Sequence, residues 1–249
     1  MQFKILTFPA DYRQSARFDE SLISEAAHNG PIASVWQAEQ GMVVPRTYQN
    51  HEGFDTACQT FAKQGWPITV RLSGGGIVPQ GPGIINLSLA YAVDGPPLAH
   101  SDSAYQLICT IAQRALEEHH IATHTGAVSG SFCDGRYNLV HGNSEEEKKV
   151  AGTAQLWRRV KLADAVADVE GAQPAPITQI VLVHALILAV VDVQAVTQQA
   201  NLFEKAIHHD KQYEPDRMAS LHECQTPPAM SGADFTTALT RSLLAQLKR

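Results

Sequence analysis

Arg71-Leu72-Ser73-Gly74-Gly75-Gly76-Ile77-Val78-Pro79-Gln80-Gly81-Pro82-Gly83 stands between two apolar stretches, residues 67–72 and 84–93. Both neighbours read as strands. In the second, Ile85, Leu87, Leu89 and Tyr91 alternate with small or polar residues, the period-two pattern of a strand with two unlike faces. Three consecutive glycines after a strand let the backbone bend sharply and approach a ligand without side-chain obstruction. Their N–H groups can form an anion nest, to which Arg71 can add a fixed positive charge. A glycine-rich turn that only closes two strands is the alternative. The spacing fits neither the phosphate-binding Walker loop nor the dinucleotide GxGxxG pattern.

Upstream of this loop, residues 15–27 read as a helix with Phe18, Leu22 and Ala26 on one face, stopped by Asn29-Gly30. Residues 32–38 and 41–44 read as strands joined by a short turn. Residues 54–64 read as a helix with Phe54, Cys58 and Phe61 inward and Gly65 as its stop. Downstream, Gly95-Pro96-Pro97 breaks the long strand. A helix over 102–119 then carries Tyr105, Ile108, Cys109, Ala112 and Leu116 inward, with Ser101 as its N-cap. Residues 136–141 and 149–160 read as a hairpin whose polar link, 142–147, is a solvated tip. The β-branched stretch 177–192 reads as a buried strand. Residues 194–207 form a helix with Val196, Ala200, Phe203 and Ile207 on one face, and 210–230 read as an extended surface segment. A last helix starts near Ser231, where Ser-x-x-Asp resembles a capping box, and Phe235, Leu239, Leu243 and Leu247 are its apolar stripe. Strands clustered in the middle with irregularly placed helices give an α+β order, and no linker divides the chain.

Composition narrows the function. Of 249 residues, 44% are apolar and 18% charged, enough for a sizeable core. A formal charge of −6 argues against a partner bound by bulk electrostatics, so no nucleic acid is expected. The longest apolar run, 180–191, is broken by His184 and is shorter than the ~20 residues of a membrane helix. The first apolar stretch is too short for a secretory signal, so a cytoplasmic protein with no membrane partner is expected. Cys58, Cys109, Cys133 and Cys224 are far apart and read as reduced thiols. The histidine clusters, His119, His120 and His124, then His208 and His209 beside Asp210, are explained by favourable placement at helix C-termini, and no metal is expected.

Three further residues carry possible chemistry. Cys133 lies in the loop Gly130-Ser131-Phe132-Cys133-Asp134-Gly135-Arg136, unlike Cys58 and Cys109 on apolar helix faces. A loop cysteine near a cation can ionise and act as a nucleophile. Lys149 at a strand start, followed by small residues, can aim an ammonium into a cleft, or can simply face solvent. His184 interrupts a buried strand, either as a satisfied core histidine or as part of a pocket wall.

Taken in order, Arg71-x-Ser73-Gly74-Gly75-Gly76, Gly81-Pro82-Gly83-x-x-Asn86, Tyr137-Asn138-Leu139 and Lys149-Val150-Ala151-Gly152-Thr153-Ala154-Gln155 resemble the biotin/lipoate protein ligase and transferase superfamily. The branch is that of lipoate–protein ligases and octanoyltransferases. His184 within Val181-Leu182-Val183-His184-Ala185-Leu186-Ile187-Leu188, followed by Asp192, resembles the next strand of that branch, so the likeness covers residues 18–203. It implies a mixed, largely antiparallel sheet flanked by helices, a single catalytic domain over 1–249, and 210–249 as a C-terminal extension with a helix. It implies an acyl group or its adenylate in a tunnel beside the glycine loop. Arg71, Ser73, Gly74, Gly75 and Gly76 would line the acyl or phosphate side. Lys149 would hold the acyl carbonyl or phosphate, and Gly152, Thr153 and Ala154 would close over the chain. Gln80, Gly81, Gly83, Asn86, Tyr137, Asn138 and His184 would complete the substrate site. Gln80 departs from the histidine usual in the family, and Gly81-Pro82-Gly83 resembles the octanoyltransferase version.

The resemblance implies an acyltransferase that needs no cofactor, with Cys133 as the thioester-forming nucleophile and Lys149 favouring its thiolate. Backbone N–H groups near the glycine loop or Gly152 would stabilise the oxyanion. Its partners would be an octanoyl or lipoyl donor, either an acyl carrier protein or a lipoylated protein, and a lipoyl-domain acceptor. The alternatives are a lipoate–protein ligase using ATP and Mg²⁺, and a non-catalytic acyl-binding member.

Overall fold

The computed structural model describes residues 1–7, 16–144, 146–161, 177–225 and 230–249. In chain order the elements are β1 (Lys4–Ile5), α1 (Leu22–Asn29), β2 (Ile32–Trp36), β3 (Gly41–Pro45), α2 (Phe54–Lys63), β4 (Ile68–Arg71), β5 (Val78–Gln80) and β6 (Ile84–Val93). There follow α3 (Pro97–Glu117), β7 (His124–Gly126), β8 (Asn138–His141), β9 (Lys148–Lys161), β10 (Ile177–Leu188), α4 (Val193–Ala206) and α5 (Gly232–Gln246). Seven strands form one sheet in the order β1-β2-β6-β10-β9-β8-β7, and a small sheet has the order β4-β3-β5. Every pair in the large sheet is antiparallel except β1 with β2. This is the mixed, largely antiparallel sheet with flanking helices that the sequence predicts.

The alternation along β10 builds the layers. Val181, Val183, Ala185 and Ile187 point to the side covered by α3 and α5, where they join the buried stripe Phe235, Leu239, Leu243 and Leu247. On the other face Ile180 and Leu182 pack against Leu22, Ile23 and Ala26 of α1. Further along that face Leu188 joins a third cluster, which holds the small sheet, α2 and α4 around Phe61, Ala200 and Phe203. His184 therefore falls at the seam where α1 ends and the small sheet begins. Its neighbours at the seam are small or polar. Ser88 and Ala154 flank His184, while Asn86 and Gly152 flank Leu186. Small or polar side chains on the strands either side of β10 leave a trough in an otherwise apolar face.

Several expectations are corrected. Residues 32–38 and 41–44 do not form a hairpin: β2 pairs with β6, whereas β3 pairs with β4 and β5 in the other sheet. The helix expected over 15–27 is a 3-10 turn, Phe18–Ser21, leading into α1, and Ser15 lies outside the described residues. The helix α3 begins at Pro97, not after Ser101, because proline at the first helical position is pre-set for it. Ser101 lies one turn inside, where its hydroxyl donates to Gln155 Oε1 at 3.1 Å. His124 sits on β7 rather than at a helix end. The described part of 210–230 is not a surface segment. Tyr213, Met218 and Leu221 are buried in it, and Ala219 N–H donates to the Lys149 carbonyl at 3.0 Å.

The last helix starts as expected. The Ser231 hydroxyl accepts from the Asp234 N–H at 3.2 Å, satisfying a donor the helix itself leaves free. Ser231→Ala is expected to cost about 1 kcal/mol, read as a fall in Tm of roughly 2–4 °C in thermal unfolding. Among the described residues no helix is long and apolar enough to cross a membrane.

Candidate active site

The trough is closed into a narrow cavity of about 50 Å³ whose lining includes Asp19, Arg71, Gln80, Asn86, Cys133 and His184. Gly152, Thr153 and Ala154 of β9 form another part of the wall. A wider, open groove along α4, of about 960 Å³, shares none of these residues.

Cys133 is held in an unusual backbone. Its φ of +47° lies in the left-handed region, which costs a non-glycine residue roughly 1–2 kcal/mol. The surroundings enforce it. The Cys133 carbonyl accepts from Gly135 N–H at 2.9 Å, from Asn138 Nδ2 at 2.8 Å and from Lys149 Nζ at 2.8 Å. Such over-determined local strain is common where a side chain must be aimed. Here it sets the sulfur against Gly75. A methyl group built on Gly75 would meet Cys133 Sγ at 2.7 Å and Arg71 Nη2 at 2.9 Å, and Gly75 itself has a φ of +108°. Only glycine gives the sulfur and the guanidinium this shared space.

Arg71 is buried, and its guanidinium organises the glycine loop. Its Nη2 donates to the carbonyls of Gly74 at 2.9 Å and Gly76 at 2.8 Å, and its Nη1 to Val43 at 3.2 Å. The loop thus wraps around the guanidinium rather than presenting it free to a phosphate. Burial pushes the Arg71 pKa down, and a thiolate at Cys133 acts the other way. The Leu72 N–H donates to Glu20 at 3.0 Å, and the Ile77 N–H to the Tyr48 hydroxyl at 3.3 Å, fixing the loop at both ends. Tyr48 in turn donates to the fully buried Glu204 at 2.7 Å, as does Tyr213 at 2.7 Å. The Tyr213 ring packs on Phe132, at 5.1 Å between centroids, so the glycine loop and the cysteine loop share one support.

Lys149 is also buried, and its ammonium lies under the cysteine loop, donating to the carbonyls of Phe132 and Cys133. Gly152 makes room for it, since a methyl group there would meet Nζ at 2.9 Å. Burial pushes the Lys149 ammonium down to about 8, against the opposing pull of Cys133 and Asp134. Gln80 and Asn86 close on each other as a reciprocal amide pair, at 2.9 and 3.0 Å. Each satisfies the other, so neither is a titrating group or an open phosphate ligand.

The remaining sequence-derived candidates separate. Ser73 is buried and bonds to His184 Nε2 at 3.0 Å. Thr153 Oγ1 donates to the Tyr137 carbonyl at 2.8 Å, while the Tyr137 ring stacks on Tyr105 at 4.9 Å. Gly81 and Gly83, at positive φ, shape the turn into β6, where the Gly83 carbonyl accepts from Val190 N–H at 2.9 Å. Burial pushes the Cys109 thiol up to about 12, and burial with Asp55 pushes Cys58 up to about 11. Asp19 was not foreseen. Its carboxylate, 3% exposed, accepts from His184 Nδ1 at 2.6 Å and from Ser88 Oγ at 3.0 Å. Its signal was present, since it lies three and four residues before Leu22 and Ile23, an acid on the inward stripe. Among the described residues no group of three or more His, Cys, Asp or Glu side chains is placed to hold a metal ion.

Residues 11–244 match the lipoyl protein ligase A/B catalytic domain, and the chain belongs to that family. An uncharacterized protein of Cupriavidus necator is 44% identical over 203 residues, 82% of this chain and 78% of its own length. The octanoyl-GcvH:protein N-octanoyltransferase of Kyrpidia tusciae is 38% identical over 94 residues, which is 38% of this chain but 31% of that protein. A lipoate-protein ligase A bound with ATP shares the fold, with a TM-score of 0.64 at 17% identity, over 99% of this chain and 86% of its own.

Proposed function

We propose that the chain is an acyltransferase that moves an octanoyl or lipoyl group to a lysine of a lipoyl domain through a thioester on Cys133, with residues 1–249 acting as one catalytic unit and no cofactor required. The observation that carries this reading is the Cys133 sulfur, aimed by a left-handed backbone onto bare Gly75 beside the Arg71 guanidinium, in a wall of the slot. The matches to proteins named octanoyltransferases support it. So does the state of Arg71, whose donors are spent on main-chain carbonyls and suit a neighbouring thiolate better than a triphosphate.

The chemistry runs in two halves. The Cys133 thiolate, in the field of Arg71 and Lys149, attacks the carbonyl carbon of a donor thioester, and the donor sulfur leaves as its thiolate. The acyl chain then occupies the slot between the small sheet and β9. The amine of the acceptor lysine attacks the acyl-Cys133 carbonyl, the C–S bond breaks, and the thiolate returns. An acyl carrier protein or a lipoylated protein serves as donor.

Intact-mass analysis after incubation with octanoyl carrier protein tests the reading. The expected result is one octanoyl adduct, mapped to Cys133, formed equally with and without ATP. No adduct, together with an acyl-adenylate made from free acid only when ATP is present, would overturn it in favour of a ligase.

A further inference from the structure

The slot contains a second arrangement that the acyl-cysteine step does not use. His184 Nδ1 lies 2.6 Å from Asp19 Oδ2, and His184 Nε2 lies 3.0 Å from Ser73 Oγ. Asp19 is further fixed by Ser88 Oγ at 3.0 Å, which itself accepts from Trp36 Nε1 at 3.1 Å. An ionised carboxylate only accepts hydrogen bonds, so Asp19 places the imidazole proton on Nδ1. The Nε2 lone pair then accepts from the Ser73 hydroxyl, a rotatable donor that aims the ring and gives way when Nε2 takes a proton. The imidazole side chain is 20% exposed, whereas Asp19 is nearly sealed.

Resting on the transfer reading above, we infer that His184 is the base that takes the proton from the acceptor lysine, with Asp19 and Ser73 as its positioning residues. The transfer half-reaction needs such a group. When the lysine nitrogen bonds to the acyl carbon it acquires a surplus proton, which must leave if Cys133, rather than the amine, is to be expelled. Among the described residues, the titratable side chains that line the slot are Asp19, Arg71, Cys133 and His184. Arg71 cannot accept a proton, Cys133 carries the acyl group, and Asp19 is shielded behind the imidazole. Lys149 is committed to the Phe132 and Cys133 carbonyls. The proton therefore passes from the amine to His184 Nε2 as the C–S bond breaks and the electron pair returns to Cys133. Asp19 stabilises the imidazolium so formed, and His184 later releases the proton to water.

The test separates loading from discharge. Wild-type, His184→Gln, His184→Ala and Asp19→Asn proteins are loaded with octanoyl carrier protein. They are then discharged either with a lipoyl domain or with hydroxylamine, a nucleophile that is largely uncharged at neutral pH and cleaves thioesters in water, passing its proton to solvent without help from the protein. The expected result for His184→Gln, which keeps a donor and an acceptor in place, is accumulation of octanoyl-Cys133. Its discharge by hydroxylamine stays close to wild type, while discharge to the lipoyl domain slows about 10²-fold. Asp19→Asn follows the same pattern more weakly, and added imidazole restores lysine transfer to His184→Ala. Equal slowing of both discharges would assign His184 a structural role and overturn the inference, as would unchanged discharge to the lipoyl domain. Failure of the wild type to form octanoyl-Cys133 would instead sink the transfer reading itself, and the base role with it.

Discussion

A Cys133→Ala protein is expected to fold normally and to octanoylate a lipoyl domain at least about 10³-fold more slowly than wild type, with no acyl adduct on the enzyme. Alanine meets the same left-handed backbone at φ +47°, and the three donors to its carbonyl remain, so the loop keeps its shape. What disappears is the sulfur against Gly75. No other thiol can replace it. Burial pushes Cys109 up to about 12 and Cys58 and Cys224 up to about 11, and none of the three lines the slot. Cys133→Ser sharpens the test, since it keeps the shape while weakening the nucleophile. It should resemble the alanine protein in rate and wild type in thermal unfolding. A Cys133→Ala protein that transfers at the wild-type rate would eliminate the covalent route.

The parts of the fold that were readable are those where local pattern and tertiary burden agree. The alternation in 84–93 returns as β6 with the same bounds, and its small or polar positions, Asn86 and Ser88, become part of the trough. The glycine loop, the cysteine loop and the start of β9 come together in space, as their order implies. The misreadings have a common cause in long-range pairing. Nothing local tells β2 and β3 apart from a hairpin. They separate because Gly41 pairs with Gln80 and Ile32 with Ala90, each far away in sequence. Residues 210–230 lack periodicity, and their buried side chains are scattered, Tyr213 and Met218 in one apolar cluster and Leu221 in another. Asp19 was legible as an acid on an apolar stripe, but its partner His184 lies 165 residues away. The contact between Lys149 and the Cys133 carbonyl goes with a left-handed backbone at Cys133, which no spacing rule supplies.

Lys149→Met is expected to slow loading of Cys133 by about 10²–10³-fold, the scale lost when a fixed donor is removed from a site of developing charge. The ammonium acts from behind the cysteine loop in two ways. It binds the carbonyls of Phe132 and Cys133, and it puts a buried positive charge next to the sulfur's own peptide unit. Methionine keeps the apolar stem over Gly152 but removes both effects. The pH dependence distinguishes this account from simple loss of packing. Burial pushes the Lys149 pKa down to about 8 from an ordinary value of 10.5, so the charge is present below about pH 8 and is lost as pH rises through it. Wild-type loading should therefore decline above about pH 8. In the methionine variant there is no ammonium to lose, so its slower loading should show no such alkaline decline. The stability sign is opposite to the activity sign. Because the folded state disfavours the charged lysine, unfolding free energy should rise with pH between about 8 and 10.5 in the wild type, and this gain should be absent from Lys149→Met. Loading rates from pH 6 to 10, measured by stopped-flow quench and intact mass, with denaturant unfolding over the same range, check both. An alkaline decline of equal size in the two proteins would show that Lys149 does not supply the charge on which loading depends.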